Sequence, residues 1–340
     1  MINRMLGKKI RSLDKSFPVI SVTGPRQSGK TTLVRSLFPD YAYVNLENPD
    51  ERLAAEEDPV RFLTTHRHSG VILDEIQRVP DLFSYLQGIV DDSGEMGKYV
   101  LTGSQNFLLL EKVTQSLAGR VAICHLLPLT VEELQQSKLM PDDLDQIMLK
   151  GGYPTLYDRR LATEDFFPSY IQTYIERDVR SITNIGNLSS FQRFIKLCAG
   201  RAGQLVNLSG IANELGINYK TVQSWISILE ASFIVFMLKP HHVNFNKRIV
   251  KQPKIYFYDT GLLCALLDIH TERQLTTHYL RGQIFESFII SEYQKMLYHR
   301  GLRSNAFFWR DNTGHEIDLL LEQPDSLIAV EIKSGETIND

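Results

Sequence analysis

Short, wholly apolar runs alternate with helical patterns over the first 130 residues. Val19-Ile20-Ser21-Val22 leads into a glycine-containing stretch, and Thr32 to Leu37 then predicts a helix. Tyr41 to Leu46 predicts a second strand. Pro49 to Arg67 has helical spacing with a break near Pro59, because proline lacks the backbone donor. Val71-Ile72-Leu73 is fully apolar and ends in Asp74-Glu75, Leu82 to Val90 predicts a helix, and Tyr99 to Thr102 and Val121 to Leu126 predict further strands. Strands without polar alternation are buried on both faces. Their alternation with helices predicts an α/β fold, a parallel sheet with helices on both faces. Ligands in such sheets collect beyond the carboxyl ends of the strands.

The pattern then changes. Leu129 to Leu134 opens a helix with Thr130 and Glu133 spaced as a capping box, and Gly151-Gly152-Tyr153-Pro154 predicts a turn between helices. Pro168 to Val179 predicts an amphipathic helix carrying Glu176-Arg177-Asp178. Leu208 to Leu229 has helix-turn-helix spacing: Ala212 is small at the crossing, Gly216 makes the turn, Asn218 caps the second helix and Val222 packs inward. Phe233 to Leu238 and Ile255 to Tyr258 predict the strands of a wing. A helix from Arg281 to about His299 precedes three predicted strands at Phe307 to Arg310, Glu316 to Leu321 and Ile328 to Lys333. The organisation expected is a sheet domain over 1–129, a helical lid over 130–199, a winged helix-turn-helix over 200–258 and a small α+β domain over 259–340.

Composition narrows this picture little. A length of 340 residues and 43% hydrophobic content suit several packed cores, and a net charge of -3 excludes a globally basic, nucleic-acid-coating chain. Cys124, Cys198 and Cys264 are far apart, as expected of reduced thiols in the cytoplasm. No apolar run is long enough to span a bilayer, so no membrane partner is expected.

The strongest candidate chemistry is Gly24-Pro25-Arg26-Gln27-Ser28-Gly29-Lys30-Thr31-Thr32. A strand feeding such a loop and then a helix turns backbone N–H groups toward phosphate oxygens, and the helix amino end adds partial positive charge. Lys30 would reach the β- and γ-phosphates, and Thr31 would hold Mg²⁺. Asp74, just after a buried strand, would assist the metal, and Glu75 would polarise water as a general base. The plainer alternative is that both acids cap the next helix. Within Thr102-Gly103-Ser104-Gln105-Asn106, Ser104 and then Thr102 are candidates to contact the γ-phosphate, with a helix N-cap as the alternative. Arg120 would reach a γ-phosphate of its own chain or of a neighbour's, unless it is a surface arginine; Arg26 is open to the same two readings. Arg177 is a second candidate for phosphate contact, or part of a structural ion pair.

GPRQSGKTTL, VILDEIQ, LTGSQ and SLAGR, in that order, resemble the AAA+ superfamily and, more narrowly, a prokaryotic family of AAA-type ATPases with a C-terminal domain of poorly defined function. The resemblance implies that Gly24 to Thr31 is the Walker A loop, that Asp74-Glu75 is the Walker B pair, and that the polar cluster at Thr102 to Gln105 is the sensor. It implies ATP and Mg²⁺ as ligands, and a homo-oligomer, since proteins of this type often form rings.

Two further surfaces carry candidate chemistry. Five Lys/Arg residues and no acid lie between Lys239 and Lys254. With DNA as partner, Tyr219, Lys220, Gln223 and Ser224 would face the major groove, and Lys247, Arg248 and Lys251 the phosphates. The alternative is a packing module or protein-contact surface. Asp318, with Glu331-Ile332-Lys333 on the next strand, can place two carboxylates on one metal with Lys333 beside Glu331, and Glu286 would complete the cluster. The arrangement resembles the PD-(D/E)xK nuclease core, which implies Asp318 and Glu331 as metal ligands and Lys333 as the catalytic lysine. That core normally continues with a helix and further strands, so a truncated or differently finished version is expected here; the alternative is a strand-rich remnant with exposed charges. Function is therefore expected to be ATP hydrolysis controlling a DNA-binding, nuclease-like module. The alternatives are an ATP-gated Mg-dependent nuclease, or a DNA-binding or scaffold protein that uses ATP without turnover.

Overall fold

The computed structural model describes residues 2–66, 68–103, 116–175, 188–242, 252–311 and 313–335. The chain divides into two compact units, Met1–Leu127 with Tyr298–Leu302, and Pro128–Leu297 with Arg303–Asp340.

The first unit is built on β1 (Val19–Thr23), β2 (Ala42–Asn45), β3 (Val71–Asp74), β4 (Tyr99–Gly103) and β5 (Val121–His125). Their order is β2-β3-β4-β1-β5 and every pair is parallel. Successive side chains alternate between faces. Ile20, Val22, Ile72 and Val100 pack with α1 (Leu6–Leu13) and α2 (Lys30–Leu37). Val19, Leu73, Tyr99 and Leu101 pack with the helices α3 (Pro49–Glu57), α4 (Pro59–Thr65) and α5 (Leu82–Ser93). The break near Pro59 is the boundary of α3 and α4: Asp58 accepts the Arg61 N–H at 3.0 Å as N-cap, and Pro59 opens the new helix without wasting a donor.

The second unit begins with helices α6 (Val131–Gln136), α7 (Leu144–Lys150) and α8 (Pro154–Asp158). The Thr130–Glu133 capping box is formed. The helix expected to begin at Pro168 instead runs from Thr163 to Tyr170 (α9) with Pro168 inside, and is followed by a π turn, Ile171–Ile175. Phe166, Phe167 and Tyr170 pack on Tyr153 with ring centroids 5.4, 6.1 and 4.8 Å away. That aromatic burial holds the helical turn that the missing proline donor would otherwise weaken.

Further on are α10 (Leu188–Ala199), α11 (Leu208–Leu215), α12 (Tyr219–Ala231), the antiparallel pair β6 (Val235–Leu238) and β7 (Lys254–Phe257), α13 (Thr260–Leu266), α14 (Glu272–Thr277) and α15 (Arg281–His299). An antiparallel sheet β10 (Leu327–Val330), β9 (Glu316–Glu322), β8 (Ala306–Arg310) completes the unit. β10 stops three residues short of Lys333, because the Ile332 N–H donates to the Asp318 carboxylate at 2.9 Å rather than to a strand carbonyl. Among the described residues no helix is long and apolar enough to cross a membrane.

Candidate functional site

The order of strands explains where the first unit places its polar residues. From β1 the chain crosses to β2 at the far edge, and from β4 it crosses β1 to reach β5. The direction of winding changes at β1, and the crevice beyond its carboxyl end holds residues 24 to 30.

Gly24 has φ 149, and a Cβ there would lie 2.1 Å from the Leu126 carbonyl oxygen, so only glycine lets the loop leave the sheet here. Gln27 (φ 60) and Gly29 (φ 91) are also left-handed. The buried Arg4 guanidinium donates to the carbonyls of Ser28 and Leu127, both at 2.6 Å, fixing the loop from behind. Lys30, only 7% exposed, donates from Nζ to the Gly24 and Pro25 carbonyls at 3.0 and 2.8 Å. Its ammonium is thereby held inside the loop.

Asp74, also 7% exposed, ends β3 and collects three hydroxyl donors. Its Oδ2 accepts from Thr31 Oγ1 at 2.9 Å and from the Tyr43 hydroxyl at 2.7 Å, and its Oδ1 accepts from Thr102. Burial, then the bond to Asp74, pushes the Tyr43 phenol well above its ordinary pKa. Glu75 is left-handed, with φ 56 and ψ 41, and accepts from the Gln77 amide. A non-glycine residue in that region is strained, which turns Glu75 out of line with the strand. Across β1, Thr23 Oγ1 meets His125 Nδ1 at 2.7 Å, and burial lowers the His125 pKa to about 4, so its ring is neutral near pH 7.

The loop, Asp74, Glu75 and Thr102 thus come together at one edge of the sheet. Ser104 and Arg177 lie outside the described residues. Arg120 is elsewhere: β5 is parallel to β1 with Val121 opposite Val19, so Arg120 sits at the amino edge, roughly 15 Å of strand from the loop. There it forms a two-point pair with Asp91 at 2.5 and 2.7 Å. It does not reach the loop of its own chain. Tyr43 and Arg4 were missed by sequence reasoning, Tyr43 because an aromatic in an apolar run reads as core.

In the second unit, Gly216 (φ 65) turns the chain between α11 and α12, and Asn218 caps α12 by accepting the Lys220 N–H at 2.8 Å. Tyr219, Lys220 and Gln223 are exposed on α12, and Ser224 is half-buried. Lys247, Arg248 and Lys251 lie outside the described residues. The carboxylate cluster includes a lysine, Lys254, that sequence reasoning left out. The register Val330 opposite Leu319 brings Glu331 beside Asp318, and Lys333 pairs with Glu331. Glu286, however, is taken up by Lys254 at 3.2 Å and by the Tyr256 hydroxyl. Lys254 is 3% exposed and also pairs with Glu316, so an ammonium already answers the charge there. Burial still raises the pKa of Glu286 and of Asp318. Among the described residues no three His, Cys, Asp or Glu side chains converge as a metal-binding group.

A glycine-rich loop closing β1 of a parallel sheet, with a buried acid at the end of β3, defines a P-loop ATPase fold of the AAA type. Residues 16–135 match the family model described as "AAA domain". The Walker-type ATPase PABY2304 of Pyrococcus abyssi has a similar fold, with a TM-score of 0.54 and 14% identity, covering 78% of this chain and 96% of that one. Residues 141–273 and 281–340 match two models described as domains of unknown function, DUF8612 and DUF4143. The uncharacterized proteins Rv2008c of Mycobacterium tuberculosis and Mb2031c of Mycobacterium bovis are each 33% identical over 329 residues, which is 94% of this chain and 71% of theirs. The chain belongs to the same family as these two proteins.

Proposed function

We propose that this protein binds ATP with Mg²⁺ at Gly24 to Thr32 and hydrolyses it, and that nucleotide state governs the second unit. The observation that carries the reading is the hydrogen-bonded pair of Thr31 and Asp74, 2.9 Å apart, beside the ammonium of Lys30. Hydroxyl and carboxylate oxygens are the hard donors that Mg²⁺ takes, so the residues present fit the ion. Thr31 and Asp74 would hold it, and when bound it neutralises charge on the β- and γ-phosphate oxygens. Lys30 would exchange its two loop carbonyls for phosphate oxygens. Backbone N–H groups of the loop would bind the remaining oxygens. Glu75 would orient the attacking water, and Ser104 would contact the γ-phosphate. Arg120, at the opposite edge of the sheet, can serve only a neighbouring copy's nucleotide, which is the role proposed for it in a homo-oligomer.

For the second unit, the exposed Tyr219, Lys220 and Gln223 support DNA as its partner. A metal-dependent nuclease has less support, since Lys254 already neutralises Glu286 and Glu316.

The test is a pair of variants. Lys30→Ala is expected to lose Mg·ATP binding. Glu75→Gln is expected to bind as before while turnover falls about 10²–10⁴-fold, the range for losing a general base. Unchanged ATPase activity in Lys30→Ala would refute the assignment.

A further inference from the structure

Two of the hydroxyls on Asp74 come from segments that a nucleotide site already requires, Thr31 from the loop and Thr102 from the adjacent strand. The third comes from β2, the edge strand, two strands away from β4. Tyr43 is in register with Ile72, and Asp74 lies two residues further along β3 on the same face. A diagonal neighbour at that spacing is reached only by a long side chain. Tyr43 reaches it, donating from its hydroxyl to Oδ2 at 2.7 Å. The ring is held from outside by Arg35, whose guanidinium carbon is 4.7 Å from the ring centre. Tyr43, Arg35 and Thr31 line one cavity of about 540 Å³, together with Tyr41.

We propose that Tyr43 is a positioning residue for the cation: it fixes the orientation of the Asp74 carboxylate, so that affinity for the divalent ion, and not for the nucleotide alone, depends on it. The proposal rests on the ATP reading above. A carboxylate offers about four lone-pair directions on two oxygens. Thr31 has one hydroxyl hydrogen, and it is spent on Asp74 Oδ2. The lone pairs of Thr31 Oγ1 would be open to a cation only while that carboxylate stays in place. Thr102 on Oδ1 and Thr31 on Oδ2 each hold one oxygen, and Tyr43 adds a second donor to Oδ2 from a different strand, which restricts the carboxylate's rotation further. Among the described residues the Tyr43 hydroxyl bonds to Asp74 and not to the phosphate loop, so nucleotide bound without metal should not sense its loss.

Tyr43→Phe removes the one hydroxyl and keeps the ring. Tyr41→Phe is its control: it lines the same cavity, but its hydroxyl donates to the Gly97 carbonyl at 2.9 Å, remote from Asp74. Binding of a fluorescent ATP analogue is measured in EDTA, and Mg²⁺ is then titrated at fixed nucleotide, with thermal unfolding followed for each protein. All three proteins are expected to bind alike in EDTA. The half-saturating Mg²⁺ concentration should rise about tenfold or more in Tyr43→Phe alone, the usual consequence of losing an outer partner of a metal ligand. Half-maximal turnover should shift to higher Mg²⁺ by the same factor. Superimposed Mg²⁺ curves overturn the proposal. So does an equal shift in Tyr41→Phe, or a shift that appears only with a lowered unfolding midpoint, since either marks a loosened sheet edge. Normal ATP binding by the unaltered protein with superimposed curves removes only the role of Tyr43. No saturation by Mg·ATP in the unaltered protein removes the ATP reading and this proposal with it.

Discussion

At Gly24 a single hydrogen atom decides whether the loop can form. The Cβ of any other residue would meet the Leu126 carbonyl oxygen at 2.1 Å, and that oxygen is backbone, with no rotamer to yield. At Gly119, also left-handed with φ 77, a Cβ would meet nothing within 4 Å. Gly24→Ala is therefore expected to displace the loop, lowering ATP affinity by about tenfold or more, and to destabilise the first unit by roughly 1–3 kcal/mol. A fluorescence titration and a thermal melt measure the two effects, and a variant indistinguishable from the parent in both would show that β5 gives way instead. The loop glycines with Lys30 and Thr31, and an acid closing a strand at Asp74, were legible as positions because each lies in one consecutive stretch of sequence. Tyr43 was not, since the identity of its partner depends on the β2–β3 register.

At the scale of elements, apolar runs and caps were good guides where the chain's own groups complete each other. The Thr130–Glu133 box and the break at Pro59 are local, and both form. Local rules failed at α9, where aromatic packing on Tyr153 carries a helix through Pro168. They also failed at β10, where the Asp318 side chain of the neighbouring strand captures a backbone donor. Asp259 shows how strong such non-local caps are. Its buried carboxylate caps α13 by accepting the Leu262 N–H at 2.9 Å, and it also accepts the Gly152 N–H at 2.7 Å from a turn distant in sequence. Burial raises its pKa, and those two N–H groups, with the charge of Lys295, oppose the rise. Asp259→Ala leaves both donors unpaired, and a loss of about 2–4 kcal/mol is expected. Asp259→Asn keeps an acceptor and should cost clearly less. Denaturant unfolding monitored on the second unit distinguishes them, and equal losses in the two variants would mean that the side chain's volume, not its acceptors, holds the turn.

At the scale of the molecule, the chain divides into two compact units. If nucleotide state governs the second unit, the coupling must be reciprocal: a factor by which ATP changes DNA affinity is the factor by which DNA changes ATP affinity. Using Glu75→Gln to hold ATP intact, duplex DNA retention is expected to differ by about fivefold or more between ATP and ADP, within the usual range of such couplings. The same change should appear in ATP affinity with and without DNA. Identical DNA retention in both nucleotides would leave an ATPase and a second unit without communication.

Sequence alone determined the parallel sheet, the phosphate loop and the acid at the end of β3, because burial on both faces and the demands of a phosphate cradle are written in consecutive residues. Tertiary structure alone decided which hydroxyls surround Asp74, that Arg120 stands at the far edge of the sheet, and that Lys254 enters the carboxylate cluster of the second unit. Those contacts join residues far apart in the chain, and strand order and register, rather than spacing, bring them within hydrogen-bonding distance.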